Sequence, residues 1–105
     1  MIQMKMAVPI DMALEQRHPG TAASRWSVFE GVLLGFLAGE NLKGLVVHVS
    51  EKRDMLHGKI IRTWKSDWFD RTESEARDLN DRFFKLLGET SAWLLVTRPR
   101  KLQLV

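Results

Sequence analysis

Cysteine is absent from this chain of 105 residues, and so is any long apolar run. Without cysteine there is no disulfide framework, no iron–sulfur cluster and no thiolate zinc site. The most apolar stretch, residues 26–38, contains Glu30 and is shorter than the roughly 20 residues that cross a bilayer. The first residues lack the apolar core and cleavage site of a secretory signal. We therefore expect a cytoplasmic protein without a membrane segment.

Signals of catalysis are also scarce. His18, His48 and His57 do not have the spacing of a helical metal pair. The acids at positions 67, 70, 73 and 75 lie before or at the start of a predicted helix, where negative charge opposes the positive end of the helix dipole and needs no reaction to explain it. No glycine-rich phosphate loop or serine elbow is present. We predict no catalytic residue, no metal ligand and no cofactor, and a binding or structural protein more than an enzyme.

The composition is that of one globular domain, which we assign to residues 1–105. Hydrophobic residues make up 45% and charged residues 28% of the chain, close to globular averages. A second core would not fit comfortably in this length. The net charge of +3 is compatible with solubility as well as with nucleic-acid binding, so it does not indicate which partner the protein binds.

The clearest element is a helix over residues 72–87. Apolar residues recur there at helical spacing, Thr72 and Glu75 form a capping-box pattern, and Gly88 is a typical helix stop. Residues 44–49 and 58–65 resemble two strands of a long hairpin, and residues 92–97 and 102–105 resemble further strands on either side of a turn at 98–101. We predict that Leu79, Phe83 and Leu87 pack against Val47, Ile60 and Leu95.

The first third of the chain is less regular. Met4, Met6, Val8 and Ile10 alternate as in a strand, and residues 11–17 fit either strand or helix, with strand favoured. Residues 18–24 have the composition of a turn. Residues 26–38 fit both periods, and the glycines at 31, 35 and 39 favour strand because each weakens a helix by roughly 1 kcal/mol. The predicted fold is α+β, a mostly antiparallel sheet packed against one main helix at 72–87.

Basic and aromatic side chains interleave near the end of the second hairpin strand, at Arg62, Trp64, Lys65 and Trp68. Single-stranded nucleic-acid binders stack bases on rings and bind phosphates with cations, so these four side chains are candidate RNA contacts. The alternative is that the tryptophans cover the core or a subunit interface.

Part of the chain resembles Sm-like RNA-binding proteins. The resemblance rests on residues 31–36, on Asn41-Leu42 and on Ile61-Arg62. It implies a uridine pocket that includes Asn41 and Arg62 and a ring of six or seven subunits. Leu37 and Thr63 depart from the family pattern, which has aspartate and glycine at those positions.

A second resemblance is spread along the chain. The segments 8–10, 15–17, 71–76 and 95–99, with Trp26 and Asn80, are similar to an uncharacterised bacterial family of small proteins often encoded beside formate dehydrogenase genes. This resemblance implies an accessory role in maturing or assembling another enzyme. We therefore predict a non-enzymatic interaction protein, acting through a surface or sheet edge on itself or on a protein partner. The alternative is a single-stranded RNA-binding module.

Overall fold

The computed structural model describes residues 1–89. Its elements are β1 (Lys5–Asp11), α1 (Met12–Arg17), α2 (Thr21–Gly39), β2 (Val47–Asp54), β3 (Lys59–Ser66) and α3 (Glu73–Gly88). Leu95, the two strands predicted at 92–97 and 102–105 and the turn between them lie outside the described residues.

The three strands form one antiparallel sheet in the order β1-β3-β2. The predicted hairpin of β2 and β3 is confirmed, although β2 begins at Val47 instead of residue 44. Gly58 in its turn has a φ of 62°, a left-handed conformation that glycine adopts without steric cost. The predicted strand around residues 4–10 is confirmed as β1, and its alternating apolar side chains are all buried: Met4, Met6, Val8 and Ile10.

The predicted helix at 72–87 is confirmed as α3. Its capping box forms as expected, since Glu75 N–H donates to Thr72 Oγ1 at 3.2 Å and Thr72 N–H donates to Glu75 Oε1 at 3.1 Å. These bonds hold the pKa of Glu75 below its ordinary value. The buried face carries the expected apolar stripe of Ala76, Leu79, Phe83 and Leu87.

The strand favoured for residues 26–38 is wrong, because these residues belong to the helix α2. Burial of a large apolar side chain contributes about 1.5–3 kcal/mol, and α2 buries one at nearly every turn, whereas each glycine costs only about 1 kcal/mol. The glycines at 31, 35 and 39 lie on exposed parts of the helix. The side chains that α2 buries are Ala22, Trp26, Phe29, Leu33 and Leu37.

The strand favoured for residues 11–17 is also wrong, and the predicted turn at 18–24 is shorter than expected. Asp11 ends β1 and caps α1, its Oδ1 accepting the N–H of Ala13 at 2.9 Å. The helix α2 begins at Thr21. Its N-cap residue, Gly20, has no side chain, and Glu15 takes over the capping by accepting the N–H groups of Gly20 and Ala22 at 2.8 and 2.7 Å.

The core lies between the sheet and the two long helices. The ring of Phe29 in α2 lies 4.6 Å from the ring of Trp64 in β3, and the indole of Trp26 donates to the carbonyl of Val8 at 3.1 Å. Phe83 of α3 contacts Phe29 at 6.0 Å between ring centroids. The predicted class, α+β with an antiparallel sheet, is confirmed, but two long helices share the core instead of one main helix.

Candidate functional site

The predicted contact residues of β3 lie on two opposite faces of the sheet. Side chains alternate along a strand, so Arg62 and Trp64 face the helices while Lys65 faces away from them. Trp68 follows the end of β3 and is 47% exposed. Asn41 lies in the loop after α2 with a φ of 62°, which asparagine tolerates better than most residues. The structure therefore does not bring the five candidates together on one surface.

Trp64 belongs to the core. Only 1% of its surface is exposed, and its ring packs against Phe29. Within residues 1–89, the indole Nε1 is buried without a hydrogen-bond partner, as is Nε of Arg62 two residues earlier on the same face. An unsatisfied buried donor costs about 1–3 kcal/mol. These two donors therefore carry a desolvation cost that no hydrogen bond from the described residues offsets.

Arg62 connects the helix layer to the outer strand β2. Its guanidinium carbon lies 4.6 Å from the ring centroid of Trp26, and its Nη2 donates to Glu51 Oε1 at 2.9 Å. A guanidinium over an indole face is attracted by the ring quadrupole. With an aromatic ring and a carboxylate already in contact, Arg62 has a structural role that the sequence did not predict.

The strand β2 is an outer strand of the described sheet. Asp67 N–H donates to the carbonyl of Val46 at 3.0 Å, so Val46 and every second residue after it direct their backbone groups toward β3. The intervening residues direct their N–H and C=O groups away from the sheet, which makes them available to another strand. These residues are Val47, Val49, Glu51 and Arg53.

The helix-facing side of β2 is also only partly covered. Val49 lies directly opposite Trp64 in the register, yet Val49 is 46% exposed while Trp64 is buried. Val47 is half-buried against the core. Among the described residues, backbone groups without a strand partner and partly covered valine side chains therefore coincide on β2. We define Val47, Val49, Glu51 and Arg53 as the β2 edge.

The other outer strand, β1, has a different edge. Ser66 N–H donates to the carbonyl of Met4, so Lys5, Ala7, Pro9 and Asp11 direct their backbone groups outward. Proline has no N–H, so Pro9 removes one donor from the middle of this edge. The helix-facing side chains of β1 are fully covered. The β1 edge is thus poorly suited to accept another strand.

Two histidines, His48 and His57, each form a pair with an aspartate at the surface. His48 Nε2 lies 2.8 Å from Asp67 Oδ1, and His57 Nδ1 lies 2.8 Å from Asp54 Oδ2. The bond from His57 holds the pKa of Asp54 below its ordinary value. Within residues 1–89, no group of three histidine or acidic side chains is arranged to hold a metal ion.

A cleft of about 330 Å³ lies between the end of α2 and the start of α3. Three of its charged side chains are engaged with one another, since Arg82 donates to both carboxylate oxygens of Glu40 at 2.9 Å and to Asp78 at 3.0 Å. These carboxylates raise the pKa of Arg82 above its ordinary value. Arg82 therefore links α3 to the end of α2 across the cleft. Because its guanidinium is engaged in these bonds, Arg82 does not supply the cleft with a free acid or base.

Searches against known protein families, curated proteins and solved structures found no match. In the described part of the chain, no helix is both long and apolar enough to cross a membrane. The sequence predicts an exposed sheet edge, but sequence reasoning does not identify the residues of the β2 edge. Its signal was weak because a charged strand such as residues 50–54 is also typical of a solvated hairpin.

Proposed function

We propose that this chain is a non-enzymatic interaction protein that self-associates by pairing its β2 edge with the β2 edge of a second copy. The observation that carries the proposal is the exposure of Val49, an apolar side chain opposite buried Trp64, on a strand whose outward backbone groups are unpaired in the described structure. Main-chain hydrogen bonds would supply affinity, and the valines would supply the apolar contact.

The side chains of β2 favour one register for this pairing. In a symmetric antiparallel pair, one residue lies on the two-fold axis opposite its own copy. A two-fold axis at Glu51 or Lys52 places like charges directly opposite each other, which is destabilising. An axis at His48 pairs only residues 47–49 of the two strands, and an axis at Ser50 places Val49 opposite the second copy's Glu51. An axis at Val49 pairs residues 47–51 and places valine opposite valine, with Val47 opposite the second copy's Glu51. We therefore assign the axis to Val49.

This arrangement would produce a continuous sheet of six strands, three from each copy. Its two new outer strands would be the β1 strands, where Pro9 interrupts the row of backbone donors. The assembly would close at two subunits, because the remaining edges are poor acceptors. Closure distinguishes it from an open, aggregating arrangement.

The test is the solution mass by light scattering over a dilution series. The wild-type chain should be a dimer that dissociates on dilution. Val49→Lys should be monomeric, because the two lysines would meet at the axis. Val28→Lys is the matched control, since Val28 is 43% exposed on α2, away from the edge. A wild-type monomer at all concentrations, or a dimer of Val49→Lys, would overturn the proposal.

Disulfide trapping tests the register, because the natural chain has no cysteine. Directly opposite residues in a hydrogen-bonded antiparallel pair lie about 5.5 Å apart between Cα atoms, within disulfide range. Val49→Cys should therefore cross-link to itself on oxidation. Glu51→Cys should cross-link with Val47→Cys in a mixture and much less with itself. Efficient self-linking of Glu51→Cys would contradict the assigned axis.

A further inference from the structure

The sheet has an outer face that none of the three described helices covers. Alternation places every second residue of each strand on this face. Register then aligns them in rows across the three strands. From one end of the sheet to the other, the rows are Lys5, Lys65 and His48; Ala7, Thr63 and Ser50; Pro9, Ile61 and Lys52; and Asp11, Lys59 and Asp54.

The first row brings cations together. Lys5 and Lys65 are register partners at a non-hydrogen-bonded position, where opposite side chains come closest. Like charges directly opposite each other destabilise a sheet. Among residues 1–89, no carboxylate lies within 4.0 Å of either ammonium group. Stability of the fold therefore does not explain this pair.

The last row shows the opposite pattern. Lys59 lies between Asp11 and Asp54, so unlike charges alternate across the three strands. The same sheet thus alternates charge at one end, whereas at the other it places two lysines side by side next to the His48–Asp67 pair. Departures from local stability rules are expected where a residue serves a ligand. The row of Lys5, Lys65 and His48 is such a departure.

The surroundings of the first row suit an extended polyanion. The neighbouring row has small or hydroxyl-bearing side chains, which allow close approach and can donate hydrogen bonds. Asp67 is held by His48 at 2.8 Å, and the half-exposed Trp68 follows directly in the chain. Cationic side chains close to an exposed aromatic residue are what single-stranded nucleic-acid sites combine.

We propose that the outer face binds single-stranded nucleic acid. Lys5 and Lys65 bind backbone phosphates, Ser50 and Thr63 donate hydrogen bonds to the backbone, and a base stacks on Trp68. A bilayer is a poorer match, because the rows contain no large, fully exposed apolar side chain to insert. Of the contacts predicted from the sequence, Lys65 lies on this face, and Trp68 follows it three residues later, just beyond the end of β3. It lies within one chain and does not depend on self-association.

The test is fluorescence anisotropy of a labelled oligouridine of about 12 nucleotides, within the range of known site sizes. Binding should weaken with salt. Lys5→Gln and Lys65→Gln should each lower the slope of log affinity against log salt by about 0.7. Trp68→Ala should weaken binding roughly tenfold. Lys43→Gln is the matched control, because it removes an exposed lysine from a loop instead of from the outer face. It should change the slope only by the small amount that follows from losing one positive charge.

Thermal unfolding separates a ligand role from a structural one. Lys5→Gln should leave Tm unchanged or raise it, because it relieves a like-charge pair while weakening binding. Val49→Lys should keep its affinity for oligouridine, so failure of the dimer and failure of this site are distinguishable. No binding at low salt, equal losses for Lys43→Gln and Lys5→Gln, tighter binding of a duplex, or binding only to phosphatidylserine vesicles would each overturn the proposal.

Discussion

The two outer strands of the sheet flank the same central strand but have different surroundings. On β1, three alternate apolar side chains are buried, and Pro9 interrupts the outward row of donors. On β2, Val49 remains half-exposed and no proline is present. The difference teaches that proline interrupts one edge of this sheet, whereas no strand within residues 1–89 pairs with the other edge. The β2 edge is therefore where we place self-association.

Truncation of a buried side chain on β1 and of an exposed one on β2 should give the largest difference in the free energy of unfolding. Ile10→Ala on β1 should lower the free energy of unfolding by about 2–5 kcal/mol, because Ile10 is fully buried. Val49→Ala on β2 should change it by less than about 0.5 kcal/mol when the chain is monomeric. Urea unfolding at low protein concentration measures both. Comparable losses would show that the β2 side is covered in solution.

Proline substitution at two neighbouring positions of β2 should give a smaller difference in the free energy of unfolding. It tests which backbone N–H groups of β2 bond to β3. Ser50 N–H points toward β3, whereas Val49 N–H points outward. Ser50→Pro should therefore cost about 1–3 kcal/mol more than Val49→Pro, since it leaves a ladder acceptor without its donor. Chemical denaturation of the monomer measures the difference. Equal costs at both positions would mean that the edge assignment is reversed or that both donors are bonded.

Acid should have a smaller effect, at the junction of α1 and α2 on the helix side of the sheet. The N–H groups of Ala22 and Gly20 hold the pKa of Glu15 below its ordinary value. A carboxylate with a lowered folded-state pKa stabilises the fold above its ordinary pKa, and this contribution disappears as pH falls through the lowered value. In that acidic range, the Tm of Glu15→Gln should therefore fall less steeply with decreasing pH than the Tm of the wild type. Glu73→Gln, at an exposed ion pair with Arg77, is the control and should follow the wild type.

The elements that sequence reasoning placed correctly have local signals. The helix α3 carries its cap, its stop and its apolar stripe within one stretch, so neighbouring residues suffice to specify it. The hairpin of β2 and β3 and the alternation in β1 are similarly local. The helix α2 was mistaken because its glycines are a local cost, while the burial that outweighs them depends on β3 and α3.

The candidate site was only partly predictable. Arg62, Trp64, Lys65 and Trp68 are close in sequence, but alternation separates the first two from Lys65 by the thickness of the sheet. The partner of Lys65 in the basic row, Lys5, is distant in sequence and joins it only through the register of β1 with β3. No local pattern could have revealed that pair.

By itself the sequence determined the α+β class, the strands of the sheet and the capped helix α3, because these follow from periodicity and capping among near neighbours. The tertiary structure decided that residues 21–39 are helical, which side of each strand is covered, and which outer strand keeps an open edge. These outcomes depend on contacts between residues far apart in the chain. In α2, burial energy therefore outweighs the local propensity of its glycines.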